Sequence, residues 1–362
     1  MKGLNFGSLF GRNKQLIGLD IGSSAIKLVQ MKEVNGKYFL QKFGMKPLEP
    51  EVIVDGTVMD AGRVVTVIKE LLSELNIKLK HAAISVSGHS VIVKKISLPP
   101  MSDEELETEV KVAAEQYIPF DLNEVNLDFH ILDNAEPADD GQPHVSLLLV
   151  AAKKDKVNEL TELVRGAGLI PVVLDVDAFA VENMYGANYE SPNGEVVGLV
   201  NIGASVMNIN ILREATSLFT RDIAVGGSGY SEAIQRELGV SFEEAETIKK
   251  THRPTDANAA AVGTVLDGVN AEVASEIAKS IDYFRTTGTG GDLKKIVLSG
   301  GSSKVSGLAA QLSERMGIPV ELANPFQNID VSGASLDEES LAELAPLAAV
   351  GVGLAMRTIG DR

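Results

Sequence analysis

The chain has 362 residues, 44% of them hydrophobic and 23% charged, which predicts two or more domains with sizeable cores. Its formal net charge of −17 argues against non-specific binding to nucleic acid or to an anionic membrane surface, because both are negatively charged and would repel it. The chain contains no cysteine, which excludes disulfides and cysteine-based metal sites and fits a reducing cytoplasm.

The amino-terminal segment, residues 1–14, is expected to be a flexible tail, with a weak partner-binding or membrane-touching arm as the alternative. It lacks the apolar core of a secretory signal. No apolar run reaches the roughly 20 residues that a membrane span needs. The nearest candidate, 345–356, is short and rich in glycine and alanine, so we expect a soluble protein.

Next along the chain, an apolar strand runs into a Gly-Ser-Ser turn and then into a second, alternating strand. Gly22 lets the backbone approach a ligand closely, and the N–H groups of such a turn form an anion-binding nest. Ser23 and Ser24 add hydroxyl donors, and Lys27 adds a cation. Asp20 ends the first strand without an obvious partner, so a metal ion or its waters would be a natural one. Taken alone, the stretch also fits an ordinary hairpin.

The elements after this hairpin indicate an α/β lobe and then an inserted subdomain of about the minimum size that folds alone. The predicted elements of the lobe are strand 37–46, helix 63–75 and strand 82–86. Those of the insert are strand 89–98, a helix opened by a capping box at 102–105, strand 126–132, an acidic loop at 133–143, strand 145–152 and helix 154–167.

A second copy of the hairpin pattern begins about half a chain after the first, at Val197. An apolar strand runs through Asn201, and an alternating strand follows the small residues Gly203, Ala204 and Ser205. Two such hairpins suggest two related lobes, each of which presents a turn to one phosphate chain. The sequence therefore predicts a duplicated nucleotide clamp.

The second half of the chain adds two further glycine turns to the predicted helices and strands. A helix opened by a second capping box carries Glu246 and Lys249 at i and i+3, and therefore on one face. The predicted elements are strand 170–176, helix 177–185, strand 217–225, a turn at Gly226 and Gly227, helix 231–238, the capping box at 241–244, helix 262–284, strand 295–299, a turn at Gly300, Gly301 and Ser302, helix 305–316, strand 319–322, an irregular segment at 324–336 and helix 341–357.

In this order the motifs resemble the actin/hexokinase/Hsp70 nucleotide-binding superfamily. The resemblance covers the first phosphate motif at 18–27, the second phosphate motif at 198–209 and the adenosine motif at 296–307. It also covers the two connecting helices, at 175–185 and 344–356. The insert resembles the extra subdomain of the cell-division protein FtsA. Among FtsA relatives, the stretches GLDIGSSAIKLVQM, KKISLPPMSDEELETEVKVAAEQYIPFDLNEV and GLIPVVLDVDAFA resemble the PilM family of type IV pilus assembly proteins.

The resemblance implies an α/β fold of the actin-like ATPase type, with two duplicated lobes, a nucleotide cleft between them and an FtsA-like inserted α+β subdomain. The expected parts are a tail at 1–14, lobe I at 15–83 with 169–176 and 341–362, the insert (subdomain 1C) at 84–168 and lobe II at 177–340.

The resemblance also implies ATP and Mg²⁺ as cofactors. Asp20 would hold Mg²⁺ through water. The residues expected to surround the nucleotide are Gly22, Ser23, Ser24 and Lys27 at the first turn, Asn201, Gly203, Ala204 and Ser205 at the second, Gly226, Gly227, Glu246 and Lys249 near the ribose and base, and Gly300, Gly301 and Ser302 under the adenosine. A solvated helix pair is the alternative for Glu246 and Lys249, and a plain C-cap or turn for Gly226 and Gly227.

One position departs from the superfamily pattern. Asn201 stands where the second phosphate motif usually carries Asp, and an amide neither acts as a base nor adds negative charge for Mg²⁺. Asp177 remains as a candidate catalytic residue beside Asp20, where it would orient water, with a helix N-cap as the alternative. We therefore expect tight nucleotide binding with slow or negligible hydrolysis.

The PilM resemblance implies a cytoplasmic adaptor that binds the cytoplasmic N-terminal tail of PilN in a groove between the first lobe and the insert. PilO, PilP and motor or platform proteins would be indirect partners. The chain would contact the membrane only through its partners. Self-association is a further expectation. An FtsA-like filament protein is the alternative, although only 358–362 follow the last predicted helix, where that family carries an amphipathic anchor. A sugar or metabolite kinase is a third hypothesis. Such an enzyme needs a carboxylate base, and the sequence offers no convincing candidate.

Overall fold

A computed structural model describes residues 15–132, 144–190, 194–214, 216–251, 258–286, 291–334 and 337–360. The predicted tail and the predicted acidic loop at 133–143 lie outside the described residues. Within them, no helix is long and apolar enough to cross a membrane.

Strands and helices are mixed along the whole described chain. The strands are β1 (Ile17–Ile21), β2 (Ala25–Val34), β3 (Lys37–Pro47), β4 (Ile53–Val54), β5 (Thr57–Val58), β6 (His81–Val86), β7 (Val91–Leu98), β8 (Val125–Ile131), β9 (Val145–Lys153), β10 (Ile170–Val176), β11 (Val196–Ile202), β12 (Met207–Arg213), β13 (Thr216–Ile223), β14 (Leu293–Ser299) and β15 (Val320–Leu322). The helices are α1 (Ala61–Glu74), α2 (Asp103–Tyr117), α3 (Lys154–Gly166), α4 (Asp177–Asn188), α5 (Gly227–Leu238), α6 (Phe242–Thr251), α7 (Ala259–Thr286), α8 (Leu308–Met316), α9 (Glu338–Leu344) and α10 (Ala349–Ala355).

Two five-stranded sheets with the same topology form the two lobes. The first has the order β10-β6-β1-β2-β3 and the second the order β15-β14-β11-β12-β13. In each sheet, the two strands of the central hairpin pair antiparallel, and a third strand pairs antiparallel with the second hairpin strand. The remaining two strands run parallel to the first hairpin strand. This repeated topology confirms the predicted actin-like fold with duplicated lobes, because the two hairpins occupy equivalent places.

The insert is a three-stranded antiparallel sheet, in the order β7-β9-β8, with α2 packed against it. The predicted capping box opens α2: the Ser102 side chain accepts from the Glu105 N–H, and the Glu105 side chain accepts from the Ser102 N–H. Helix α3, which the predicted insert includes, instead buries Leu160, Leu163 and Val164 in the core of the first lobe. We therefore propose that α3 packs as part of lobe I, and the other predicted boundaries stay predictions.

Helices α4 and α10 cross between the lobes, and glycine makes the crossing possible. A Cβ on Gly353 of α10 would overlap the carbonyl group of Ala180 on α4. A Cβ on Gly18 of β1 would meet the backbone of Gly351 and of Ala355. The prediction of one continuous helix at 341–357 is wrong. The chain forms three elements in succession, which are α9, a 3-10 turn that begins at Ala345, and α10. The helix is interrupted because Pro346 lacks the N–H that a continuing helix needs.

Candidate functional site

The turn between β1 and β2 has the geometry of an anion-binding nest. The Gly22 N–H closes the turn by donating to the Ala25 carbonyl at 3.2 Å. The backbone N–H groups of Ser23 and Ser24 make no hydrogen bond within the described residues. Successive N–H groups left without a protein acceptor in a tight turn bind anions well.

The turn between β11 and β12 repeats this arrangement in the second lobe. The Gly203 N–H donates to the Val206 carbonyl at 2.9 Å. In the part of the chain that the structure describes, the N–H groups of Ala204 and Ser205 donate to no protein acceptor. Both sequence-predicted turns therefore offer backbone donors, and both are partly exposed.

The expectation that Asp20 has no protein partner is wrong. Asp20 and Lys27 face each other in the β1–β2 register, and the Lys27 Nζ lies 2.9 Å from the Asp20 Oδ2. Both side chains are largely buried, at 12% and 16% exposure. The charge of Asp20 is thus compensated within the hairpin, and the cost of burying it does not by itself call for a metal ion.

Asn201 is held by a hydrogen-bond network at the end of β11. Its Nδ2 donates to the Asn208 Oδ1 at 3.0 Å, and its Oδ1 accepts from the Ser299 hydroxyl at 3.2 Å. The Asn208 Nδ2 donates in turn to the Asp222 Oδ1 at 2.8 Å. A carbonyl oxygen has two lone pairs, so the Asn201 Oδ1 keeps capacity for one further donor such as water.

Gly226 and Gly227 form the start of α5, which begins four residues before the predicted helix at 231–238. The alternative of a C-cap is therefore wrong. The Gly227 N–H donates to the Gly203 carbonyl at 2.9 Å, and the Ser302 hydroxyl donates to the same carbonyl at 3.0 Å. A Cβ on Gly226 would lie 2.5 Å from the Ala204 carbonyl oxygen. Residues predicted to contact the ribose, base and adenosine thus pack directly against the turn between β11 and β12.

Glu246 and Lys249 form a partly buried ion pair on α6, so the alternative of a solvated pair is wrong. Lys249 also donates to the Gly227 carbonyl and to the Ser231 hydroxyl, each at 3.0 Å. Burial opposes ionisation of Glu246, but the Lys249 charge and donors from Lys249, Ser231 and Lys250 outweigh it and lower its pKa. Burial lowers the pKa of Lys249. The pair joins α6 to the start of α5.

The turn after β14 requires glycine at Gly300, whose φ is +85°. Its N–H donates to the Pro346 carbonyl at 2.7 Å. A Cβ there would lie 2.7 Å from the carbonyl carbon of Ile202 and 2.9 Å from the Asn201 Oδ1. Gly301 has open space, since the nearest atom to its Cβ would be 4.0 Å away on Leu347. The turn after β14 therefore packs against the end of β11, beside the turn between β11 and β12.

Asp177 is the first residue of α4, and the N-cap position belongs to Val176, so the N-cap alternative is wrong. Burial, together with the nearby charges of Asp20 and Asp222, raises the pKa of Asp177 to about 6. Hydrogen bonds from Ser85 and Ser87 oppose this rise in the pKa. Asp177 is thus electrostatically coupled to one carboxylate of each lobe.

Sequence reasoning missed Asp222, Asn208 and Gly88, which the structure joins to the site. The Gly88 N–H donates to the Asp222 Oδ2 at 2.6 Å across 134 residues of sequence. The alternation of polar residues along β12 was the available signal, and strand pairing places Asn208 opposite Asp222 of β13.

Glu182, on α4, is a second group whose ionisation the fold opposes. Its Oε2 accepts from the Asn210 Nδ2 at 2.8 Å. Burial, with a smaller contribution from the charge of Asp175, outweighs the Asn210 hydrogen bond and raises the pKa of Glu182 from 4.5 to about 7. The folded state therefore binds this proton more tightly than the unfolded state does, so the stabilisation is complete below the unfolded value and disappears as the pH rises through 7.

For Glu182→Gln we expect a free energy of unfolding that depends less on pH between about 4.5 and 7, with a difference from the unmodified chain of at most about 3 kcal/mol. The variant gains relative stability as the pH rises, because it carries no charge to desolvate. Urea unfolding at several pH values measures this difference. Glu272→Gln, at an exposed position of α7, is the control. Equal pH slopes for the unmodified chain and Glu182→Gln would contradict the assignment.

The family described as type IV pilus assembly protein PilM matches residues 18–359, nearly the whole chain. This chain belongs to the PilM family. The solved structure of a PilM-PilN type IV pilus biogenesis complex is 31% identical to it, with a TM-score of 0.84, and the match covers 96% of this chain and 99% of that one. The family membership and the fold expected from the sequence motifs are thereby confirmed.

Two more distant structures share the actin-like fold with this PilM-family chain. The ethanolamine utilization protein EutJ from Carboxydothermus hydrogenoformans is 19% identical, with a TM-score of 0.58, over 94% of this chain and 89% of that one. MreB5 of Spiroplasma citri, solved with AMPPNP, is 12% identical, with a TM-score of 0.51, over 94% of each chain. At these identities the likeness concerns the fold alone.

Proposed function

We propose that this PilM-family chain is an ATP-binding adaptor of type IV pilus assembly that binds the cytoplasmic N-terminal tail of PilN. The observation that carries the proposal is the similarity to the PilM component of a PilM-PilN complex along 96% of the chain. Through PilN the adaptor would be peripheral to the inner membrane and would reach PilO, PilP and the motor or platform proteins indirectly. Pilus-driven twitching motility would then depend on it.

The nucleotide would bind between the two glycine turns, and their N–H groups without protein acceptors support this proposal. Ser23 and Ser24 would receive phosphate oxygens from one side, and Ala204 and Ser205 from the other. Lys27 would assist with its charge. The Glu246–Lys249 pair would lie beside the ribose and base, and the turn at Gly300, Gly301 and Ser302 under the adenosine.

Mg²⁺, when bound, would neutralise phosphate charge, and Asp20 would hold it through water. The described residues contain no cluster of three His, Asp or Glu side chains that could ligate a metal ion directly. This fits an ion held mainly by phosphates and water, as is usual for magnesium. Asp177 would orient a water molecule, but the amide of Asn201 supplies no base, which supports slow or negligible hydrolysis.

The PilN tail has a candidate groove in a cavity of about 740 Å³. The β4–β5 hairpin of the first lobe lines it with Asp55 and Thr57, and the insert lines it with residues 91–94, Tyr117 and Pro119. Lobe II closes the cavity with residues that include Ser205, Val206, Thr220 and Asp222. A mixed apolar and polar groove of this kind suits an extended peptide with alternating side-chain contacts.

Calorimetry tests the adaptor proposal directly. A synthetic peptide of the N-terminal cytoplasmic residues of a PilN protein is titrated into the full chain with and without Mg-ATP, with a scrambled peptide as control. Saturable 1:1 binding of the PilN peptide alone is the expected result. Absence of binding in both nucleotide states contradicts the adaptor proposal, and a separate ATP titration tests the nucleotide site.

Tyr117→Ala is expected to weaken PilN-peptide binding by about tenfold or more, because partly exposed aromatic side chains that line a groove often dominate binding energy. Tyr117 is 44% exposed at the end of α2. Tyr283→Ala, which removes a tyrosine with 59% exposure on α7, is the matched control and should leave peptide affinity unchanged. Equal affinities of the two variants would place the peptide elsewhere.

A further inference from the structure

Asp222 is the point at which the two proposed ligand sites meet. It lies on β13, the edge strand of the second lobe's sheet, and lines the cavity proposed for the PilN tail. Its two carboxylate oxygens face different parts of the molecule. The Oδ1 accepts from Asn208 in its own lobe at 2.8 Å, and the Oδ2 accepts from the Gly88 N–H at 2.6 Å.

The Gly88 side of this contact belongs to the connection between the first lobe and the insert. Gly88 follows β6 of the first lobe's sheet and opens the 3-10 turn that leads into β7 of the insert. Its φ is +74°, and its position also brings it close to the second phosphate turn, since a Cβ there would lie 3.4 Å from the Val206 Cγ2. A change in this turn would therefore move β7 relative to lobe II.

The other side of the contact leads into the nucleotide site. From Asp222 the hydrogen bonds continue through Asn208 to Asn201 and from Asn201 to Ser299, which precedes the Gly300 turn. Gly203, two residues after Asn201, begins the second phosphate turn. One continuous set of side chains thus runs from the phosphate and adenosine turns to the entrance of the insert.

We propose that Asp222 is a positioning residue that couples nucleotide binding to partner binding by holding the Gly88 turn against the Asn208–Asn201 network. The proposal rests on the proposed ATP and PilN sites. Nucleotide that orders the second phosphate turn would fix Asn201 and Asn208, and through Asp222 the position of β7 at the peptide groove. Because coupling of two binding equilibria is reciprocal, the peptide would strengthen nucleotide binding by the same factor.

Asp222→Asn is the sharpest variant, since it keeps the shape of the side chain. Both contacts of Asp222 need an acceptor, whereas the asparagine side chain offers one oxygen and one donor nitrogen. With the neighbouring amides in place, one of the two contacts is lost; keeping both requires Asn208 and Asn201 to turn their amides over, which reverses the direction of the whole network. Asp282→Asn, at a side chain with 67% exposure on α7, makes the same chemical change away from both sites and is the control.

The coupling is measured as the ratio of PilN-peptide dissociation constants without and with Mg-ATP. We expect a ratio of about five or more for the unmodified chain and for Asp282→Asn, and a ratio near one for Asp222→Asn. A general effect of the lost charge on ATP or peptide affinity cancels in this ratio. An Asp222→Asn ratio equal to that of the unmodified chain, or a ratio of one in the unmodified chain, overturns the proposal.

A ligand-free measurement separates failure of this inference from failure of the proposed function. Amide hydrogen exchange is compared in the segments 88–90 and 203–206 of the full chain, at the hydrogen-bonded N–H groups of Gly88 and Gly203. Asp222→Asn should accelerate exchange of these two amides by about tenfold or more relative to Asp282→Asn. Should the unmodified chain bind neither peptide nor ATP, the proposed function fails. Unchanged exchange in these segments overturns the role of Asp222 independently of any ligand.

Discussion

Gly353→Ala is expected to destabilise the protein by about 3 kcal/mol or more and to lower the yield of folded chain, because the added methyl group meets backbone rather than flexible side chain. The new Cβ would overlap the carbonyl oxygen and carbon of Ala180 and lie 3.0 Å from its Cα. Relief requires separating α10 from α4, whose crossing is part of a core that both lobes share. The midpoint of thermal unfolding, followed by circular dichroism, measures the effect.

Gly186→Ala is the matched control because it makes the same change on α4, where nothing lies within 4 Å of the new Cβ. There alanine should be neutral or stabilise by up to about 1 kcal/mol, since it restricts the unfolded chain and suits a helix. If Gly353→Ala unfolds at the same midpoint as Gly186→Ala, the close helix crossing is not present in solution.

The second large effect is expected at the turn after β14, which we propose lies under the adenosine. Gly300→Ala forces an alanine into φ of +85° and brings its Cβ to 2.9 Å from the Asn201 Oδ1. The left-handed conformation costs about 1–2 kcal/mol for a non-glycine residue, before any displacement of neighbours. Because the end of β11 must shift, the turn between β11 and β12 shifts with it. We expect lower stability and at least tenfold weaker ATP binding, measured by thermal unfolding and by calorimetry.

Two other glycine variants separate the causes of this loss. Gly229→Ala, on the exposed side of α5 with nothing within 4 Å, should leave ATP affinity unchanged and be neutral or slightly stabilising, as for Gly186→Ala. Gly301→Ala has open space within the protein, so a selective loss of ATP affinity at normal stability would support a nucleotide lying over this position. Unaltered ATP affinity in Gly300→Ala would show that the turn takes no part in the nucleotide site.

The local elements of the site could be predicted because their determinants lie close together in sequence. A Gly-Ser-Ser turn between two apolar strands specifies a hairpin, and the repeat at Gly203 specifies a second one. The second capping box likewise depends on two residues three apart, and the Glu244 N–H donates to the Ser241 hydroxyl at 3.2 Å. The order of these local motifs along the chain was enough to indicate the fold and the family.

Boundaries and partners that depend on packing were less predictable. The start of α5 at Gly227 is stabilised by the Gly203 carbonyl, an acceptor that no helical periodicity reveals. The apolar stripe of helix α3 predicts that one face is buried, but not which core buries it. In the structure this face packs into the core of the first lobe. Asp20 seemed to lack a partner only because strand register, which brings Lys27 opposite to it, is a property of the paired strands.

The sequence by itself therefore determined the two hairpins with their glycine turns and the family to which the chain belongs. The tertiary structure alone decided how these parts are joined: Asp222 meets Gly88 across 134 residues, and Gly353 meets Ala180 at a helix crossing. The physical reason is range. Turn chemistry and capping act within a few residues, whereas contacts between lobes form only when the whole chain has folded.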